Sequence, residues 1–282
     1  MIGFIGLGVM GEPMCRNLAR KSGRSVLAWD LRAEPLERLV ADGVAAARSI
    51  EEVAKKAEIV FLSLPGEPQI REVTKGLQDN TVVDCSTAPV SLAKELSTQI
   101  ENFADAPVAR TRQAAIDGTL SIMVGASDAL FARIEPLLRC MATDVTHCGP
   151  PGAGQAVKLL NNMVLSVTVM ALAEALAVAK ASGAVDPKLL FETLMKGSAD
   201  SFALRNHGMK ALLPESHPER AFPVTYMMKD VGYALELARS AGLDLLGAGS
   251  AMELLSKTKE LGLGEAYHTA LIEAVRKRRA IP

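Results

Sequence analysis

From Gln155 to Ser182 the chain runs without a glycine or a proline and is dominated by Ala, Leu, Val and Met. No strand signal competes there, and at 1.5 Å per residue the run predicts a helix of about 40 Å. A rod of that length suits a link between domains better than an element of one compact core. Its charge-free part, Leu159 to Ala173, is shorter than the roughly 20 apolar residues needed to cross a bilayer, so it reads as a buried helix. A chain of 282 residues is long enough for two domains. The boundary is expected just ahead of the rod, with one domain over 1–151 and a second over 152–282.

The two sides of that boundary differ in texture. Before it, short β-rich runs alternate with helical patterns, the mark of a parallel sheet flanked by helices. Strands are predicted at Met1 to Ile5, Ser25 to Trp29, Ile59 to Leu64, Thr81 to Asp84, Asn102 to Val108, Leu120 to Val124 and Asp144 to Cys148. Helices are predicted over Pro13 to Ser22 and Pro35 to Asp42, and over Ser49 to Ala57, where a serine precedes acidic residues as in a capped start. Beyond Asp186 the chain offers only amphipathic helical segments, broken at Pro187, Pro214, Pro218, Gly242 and Gly262 to Gly264. The fold class is therefore α/β, a Rossmann-type domain followed by the long helix and an all-α domain.

Several function classes are disfavoured. Lys and Arg total 31 against 32 Asp and Glu, which supplies no broad field for nucleic acid or an anionic membrane. Cys15, Cys85, Cys140 and Cys148 form no CxxC pair and have no histidine at ligand spacing, so neither a zinc site nor a disulfide framework is expected. The apolar start lacks a basic region and ends at glycines, unlike a signal peptide, and a cytoplasmic protein is expected. The basic run Arg276 to Arg279 reads as a solvated helix end.

The opening "MIGFIGLGVMGEPM" places Gly6, Gly8 and Gly11 between a predicted strand and a predicted helix, and Asp30 closes the next strand. That context turns a weak glycine pattern into a dinucleotide fingerprint. Gly6 permits the tight turn, Gly8 lets backbone approach a pyrophosphate, and Gly11 lets the helix pack on the strand. The loop through Leu7, Val9 and Met10 is then the cofactor cradle. Asp30 would accept hydrogen bonds from the adenosine ribose and repel a 2′-phosphate, which favours NAD, with NADP kept open by nearby Arg32. The later "GPPGAGQAVK" is not a P-loop, because Lys158 does not follow Gly154 directly and no Ser or Thr follows the lysine.

Together "GFIGLGVMGEPM", "DCSTAPV", "DAPVARTRQAAIDGTLSIMVG", "GAGQAVKLLNNM" and "AFPVTYMMKDVGYAL" resemble the β-hydroxyacid dehydrogenase family, which includes 3-hydroxyisobutyrate, tartronate semialdehyde and sulfolactaldehyde enzymes. The resemblance implies a dimer or tetramer and makes Lys158 the catalytic lysine, with Asn162 one turn later and Asn161 beside it. Residues four apart share a helix face, so Lys158 and Asn162 can meet one substrate oxygen. A lysine whose pKa burial lowers can take the hydroxyl proton as hydride leaves. Imine-reducing relatives usually lack this lysine. The same resemblance puts Ser86 and Thr87 at the mouth of the cofactor site, Leu64 and Pro65 along the dinucleotide path, and Lys229 over the cofactor, with Asp230 holding its helix. A surface ion pair is the plainer reading of Lys229 and Asp230.

One departure bears on the substrate. Relatives mostly read "DAPVSGG", whereas this chain has Ala109, Arg110 and Thr111 in the last three places. An arginine fork suits a carboxylate, phosphate or sulfonate, and a similar Gly-Arg-Thr stretch occurs in sulfolactaldehyde reductases. A small anionic hydroxy acid or aldehyde such as 3-sulfolactaldehyde is expected. 3-Hydroxyisobutyrate, tartronate semialdehyde, 4-hydroxybutyrate and serine are alternatives, and a dinucleotide sensor without turnover is an alternative of another class. Arg110 could instead pair with Asp117 or Asp105. The span from Pro65 to Val82 is also shorter than in relatives, with no functional account.

Overall fold

A computed structural model describes residues 1–219 and 221–278. The chain divides into two compact units, Met1–Lys158 and Leu159–Pro282. In the first, strands and helices alternate: β1 (Ile2–Ile5), α1 (Gly11–Lys21), β2 (Val26–Trp29), α2 (Ala33–Val40), β3 (Ala45–Ala46), α3 (Ile50–Lys56), β4 (Ile59–Leu62), α4 (Glu67–Thr74), β5 (Thr81–Asp84), α5 (Val90–Gln99) and β6 (Phe103–Asp105). There follow β7 (Val108–Ala109), α6 (Arg112–Asp117), β8 (Leu120–Gly125), α7 (Asp128–Leu138) and β9 (Ala142–Gly149). Ser49 caps α3 by accepting from the Glu52 N–H, as its sequence context predicted.

The sheet order is β3-β2-β1-β4-β5-β6-β8-β7, with β9 on β8. Strand order reverses at β1, whose neighbours are β2 and β4, and the crevice beyond the ends of these strands is where doubly wound sheets bind ligands. Side chains alternate between two cores. Ile2, Phe4, Ile59 and Phe61 enter one layer, while Ile5, Val60 and Leu62 enter the other. Burial on both faces explains why these strands read as unbroken apolar runs.

The sheet is not wholly parallel, which corrects the expectation from alternation. β8 runs antiparallel to β6 and β7, with Asp105 opposite Gly125 and Val108 opposite Ile122. The link from Ala109 to Leu120 is shorter than the dozen or so residues a parallel crossover needs, so the chain turns back on itself. The predicted strand Asn102 to Val108 is interrupted at Ala106 and Pro107, yet its pairing register along β8 continues unshifted.

The second unit contains most of α8 (Ala153–Ser182), then α9 (Pro187–Leu194), a π-helical turn over Leu204–Leu212, α10 (Val224–Ser240), α11 (Leu246–Thr258), a 3₁₀ turn over His268–Leu271 and α12 (Ile272–Lys277). Its core joins Val169, Leu172 and Leu176 of α8 to Phe191, Leu204, Met227 and Leu255. By length and composition α8 could cross a membrane, because its apolar window extends beyond the charge-free stretch. Its inner face packs into a helical core instead, and only part of it is buried, so the reading of a buried helix holds for one face. Arg276 is bonded to Glu215 and Glu273 rather than simply solvated; Arg279 lies outside the described residues.

Three histidines cluster in this core. Burial drives His268 well below its usual pKa and both its ring nitrogens are without a partner. Burial also takes His207 down to about 4, and lowers His217, which keeps a 2.8 Å bond to the Thr269 hydroxyl. An imidazole with a depressed native pKa binds its proton more readily in the unfolded chain, so stability rises with pH through this window. Acidification from pH 7 to 5 is expected to destabilise the unit, His207 alone contributing roughly 2 kcal/mol. Thermal melts across that range check this, and a His268→Phe variant should show a flatter pH dependence.

Candidate active site

The glycine loop leaves β1 and enters α1 at the sheet's crevice. Gly6 has φ of +94°, a conformation that side chains rarely adopt. A Cβ on Gly11 would collide with the Gly6 carbonyl oxygen, whereas one on Gly8 would meet nothing within 4 Å. Gly6 and Gly11 therefore close the turn, and Gly8 leaves an open cradle over the start of α1. Leu7 is buried, Met10 half-buried, and Val9 exposed.

Asp30 is tied to this loop. Its carboxylate accepts from the Leu7 N–H at 2.6 Å and the Arg32 N–H at 2.9 Å, and the Arg32 guanidinium lies 3.2 Å away. Burial works to raise its pKa, but these donors and the arginine charge outweigh burial and hold it below the usual range. Beside the loop is a groove of about 210 Å³ whose walls include Leu7, Gly8, Val9, Arg32 and Arg112. A glycine with open space beside it at a helix start, and a nearby carboxylate, fit a dinucleotide.

Two more loops belong to the same unit. The Ser86 hydroxyl accepts from the Leu64 N–H at 2.8 Å, which links the Leu64–Pro65 turn to the Ser86–Thr87 turn. Ser86 is buried and Thr87 half-buried. Gln155, with no exposed surface, lies against this second turn: its side chain accepts from the Ala88 N–H at 3.1 Å and donates to the Ser86 carbonyl at 2.8 Å.

The start of α8 is held by Asp105 at the end of β6. This fully buried carboxylate accepts from the Gly152 N–H at 2.6 Å and the Gln155 N–H at 2.7 Å. Burial pushes its pKa up to about 6 against those backbone donors. Lys158 lies three residues beyond Gln155 and is only 8 % exposed. The sequence offered Asp105 only as a possible partner of Arg110 and did not single out Gln155, although both lie inside quoted motifs. The signal was present in an acid at a strand end, followed much later by a glycine-rich helix start.

Arg110 is placed differently from either sequence reading of an acid partner. It sits at φ of +85°, and its guanidinium bonds the Thr119 carbonyl at 2.6 Å, the Thr143 hydroxyl at 2.9 Å and the Asp144 carboxylate at 2.6 Å. Asp105 is turned inward to α8 and Asp117 is engaged by Gln113 at 2.9 Å, so neither is the partner. Ala109 pairs with Ser121 in the sheet, and the Thr111 hydroxyl caps α6.

In the second unit, Asn162 is 3 % exposed and donates to Asp230 at 2.7 Å, while its side-chain oxygen accepts from Asn161 at 3.0 Å. Lys229 stands 3.3 Å from Asp230 and within 6 Å of the rings of Tyr226 and Tyr233. Asp230 is 1 % exposed, so this is a buried anchor and not the surface ion pair of the plainer reading. Among the described residues no group of His, Cys, Asp and Glu has the arrangement of a metal site.

Residues 1–149 match the family model for the NAD-binding domain of 6-phosphogluconate dehydrogenase, and residues 152–275 that for the NAD-binding region of NADP-dependent 3-hydroxyisobutyrate dehydrogenase. The chain is 34% identical to 2-(hydroxymethyl)glutarate dehydrogenase of Eubacterium barkeri, covering 96% of this chain and 93% of that one. It is 32% identical to 2-hydroxy-3-oxopropionate reductase of Escherichia coli, covering 97% and 96%. A solved structure of Mycobacterium tuberculosis 3-hydroxyisobutyrate dehydrogenase with L-serine superposes with a TM-score of 0.88 at 29% identity, covering 98% of each chain. With relatives that are named dehydrogenases and reductases, the chain is an NAD(P)-dependent oxidoreductase acting on CH–OH donors. The chain belongs to the 3-hydroxyisobutyrate dehydrogenase-like family of β-hydroxyacid dehydrogenases.

The glycine geometry separates binding from folding. Gly8→Ala should leave the melting temperature within a degree or two of wild type and weaken NAD(H) binding at least tenfold, because its methyl enters only the cradle. Gly11→Ala should lower the melting temperature, since its methyl meets backbone. Calorimetry and cofactor titration on the two variants check this.

Proposed function

We propose that this enzyme moves a hydride between a small anionic hydroxy acid, or its aldehyde, and NAD, using Lys158 as proton acceptor and donor. The observation that carries this reading is a lysine with little exposed surface on a helix whose first turn is fixed in the cofactor-binding unit. When bound, NAD(P)⁺ supplies the hydride acceptor at C4 of its nicotinamide. The neutral Lys158 amine takes the hydroxyl proton while the carbinol C–H pair departs as hydride, leaving a carbonyl and a lysine ammonium; reduction returns both. Asn162 orients the same oxygen, Asn161 and the 109–111 stretch bind substrate, and Thr87 and Lys229 contact the cofactor. The division of labour falls between a cofactor domain over 1–151 and a helical domain over 152–282.

NAD is the preferred cofactor in this proposal because an Asp30 carboxylate at the adenosine ribose would repel a 2′-phosphate. The substrate is drawn from the acids and aldehydes handled by the relatives, with 3-sulfolactaldehyde as a further candidate. Arg110 bears on that choice. A sulfonate using its fork must displace Asp144, a partly exposed pair that contributes little. Arg110→Ala should slow sulfolactaldehyde reduction at least tenfold more than 3-hydroxyisobutyrate oxidation if Arg110 reads the anion, and should affect both equally if it serves only Asp144.

A cytoplasmic homodimer or homotetramer completes the proposal. Val157, Val164 and Val178 of α8, spaced in multiples of seven, are 42–66% exposed, as is Leu160 at 43%. Such a seam suits a second copy. The decisive test is a panel of 3-hydroxyisobutyrate, 2-hydroxy-3-oxopropionate, 4-hydroxybutyrate, serine and 3-sulfolactaldehyde with each cofactor. Lys158→Ala should lose at least about a hundredfold in turnover while still binding NADH. Retained turnover would remove Lys158 from its role, and tight cofactor binding with no turnover of any member would favour a sensor.

A further inference from the structure

Gln155 makes contacts that its neighbours in the glycine-rich helix start do not. Its side chain bonds the backbone on both sides of Thr87, through the Ala88 N–H and the Ser86 carbonyl, while its own N–H is held by Asp105. All of these groups are buried. The helix start cannot slide to accommodate a weaker link. A Cβ on Gly154 would strike the Met123 carbonyl and the Asp105 carboxylate, and one on Gly125 would strike the same carboxylate. Ser86 in turn fixes the Leu64 turn. Three segments far apart in sequence are thus linked, the helix start to the Ser86–Ala88 turn by the Gln155 amide and that turn to Leu64 by the Ser86 hydroxyl, and Lys158 follows Gln155 by less than one helical turn.

We propose that Gln155 is a positioning residue, setting the distance between the Lys158 amine and the Thr87 turn that faces the nicotinamide. This rests on the hydride-transfer reading above. Hydride transfer depends steeply on placement, and an error of about 1 Å can cost about a hundredfold. A purely structural glutamine would alter how much enzyme is folded, whereas a positioning one alters how fast each folded molecule reacts.

Rapid-mixing single turnovers with saturating NAD⁺ and the panel acid oxidised fastest separate these, because amplitude reports the competent fraction and the rate constant reports chemistry. Gln155→Met keeps length and helix preference but neither hydrogen bond. Its rate constant should fall ten- to a hundredfold, with the NAD⁺ affinity changed less than threefold. Asn80→Ala removes a comparable side-chain bridge elsewhere in the same unit, to the Ala54 and Ala57 carbonyls, and should reduce stability with the rate constant unchanged. If Gln155→Met does not fold, Gln155→Glu carries the same reading, since it retains the acceptor for Ala88 but sets a carboxylate against the Ser86 carbonyl. A folded variant whose amplitude falls while its rate constant holds overturns the proposal. A wild-type chain that turns over none of the panel instead removes the hydride-transfer reading on which it rests.

Discussion

The arrangement depends on one buried carboxylate. Asp105 is placed at the end of an interior strand and accepts from the Gly152 N–H just ahead of the long helix and the Gln155 N–H in its first turn, where the helix dipole also favours a negative charge. These contacts do not fully offset its removal from water. With its pKa raised to about 6, the ionised form at neutral pH costs roughly 3 kcal/mol relative to an exposed aspartate. The sign follows from the shift: a carboxyl with a raised native pKa stabilises least once pH exceeds that value. A neutral cap would cost less, so this charge is better understood through what it holds in register than through stability.

What it holds is the connection between the loops beyond the strand ends and the helix that carries Lys158. The dinucleotide loop is fixed by backbone geometry at Gly6 and Gly11 and by Asp30, and the loops of Leu64 and Thr87 are tied by Ser86. Gln155 joins those loops to the helix that carries Lys158. In the helical unit a second buried acid, Asp230, engages Asn162 and Lys229. Each unit therefore organises its polar residues around an aspartate with almost no exposed surface, although the two differ in what they hold: a helix start in one and side chains in the other.

Much of this was legible in the sequence because it rests on local rules. Strand, glycine turn, helix and Asp30 follow from spacing alone, and the α8 rod follows from the absence of Gly and Pro. The antiparallel β8 was missed because alternation gives the order of elements but not their direction; only the short link after Ala109 reveals it. Asp105 was read as a possible partner for Arg110, since a one-dimensional reading sees a separation of only five positions and not the fold that points the carboxylate at Gly152. Asp144 was invisible as the partner of Arg110 for the same reason, being thirty-four residues away and brought close only by β8 pairing with β9.

In the proposed reaction, hydride passes directly between a hydroxy acid and the cofactor on this chain. The most direct test is to incubate the protein with NAD⁺ and 3-hydroxyisobutyrate or another panel substrate deuterated at the carbinol carbon, and to examine the nicotinamide by proton NMR. One deuterium is expected at C4 per turnover, on a single face of the ring. Bound cofactor that acquires no deuterium from any panel member would contradict it.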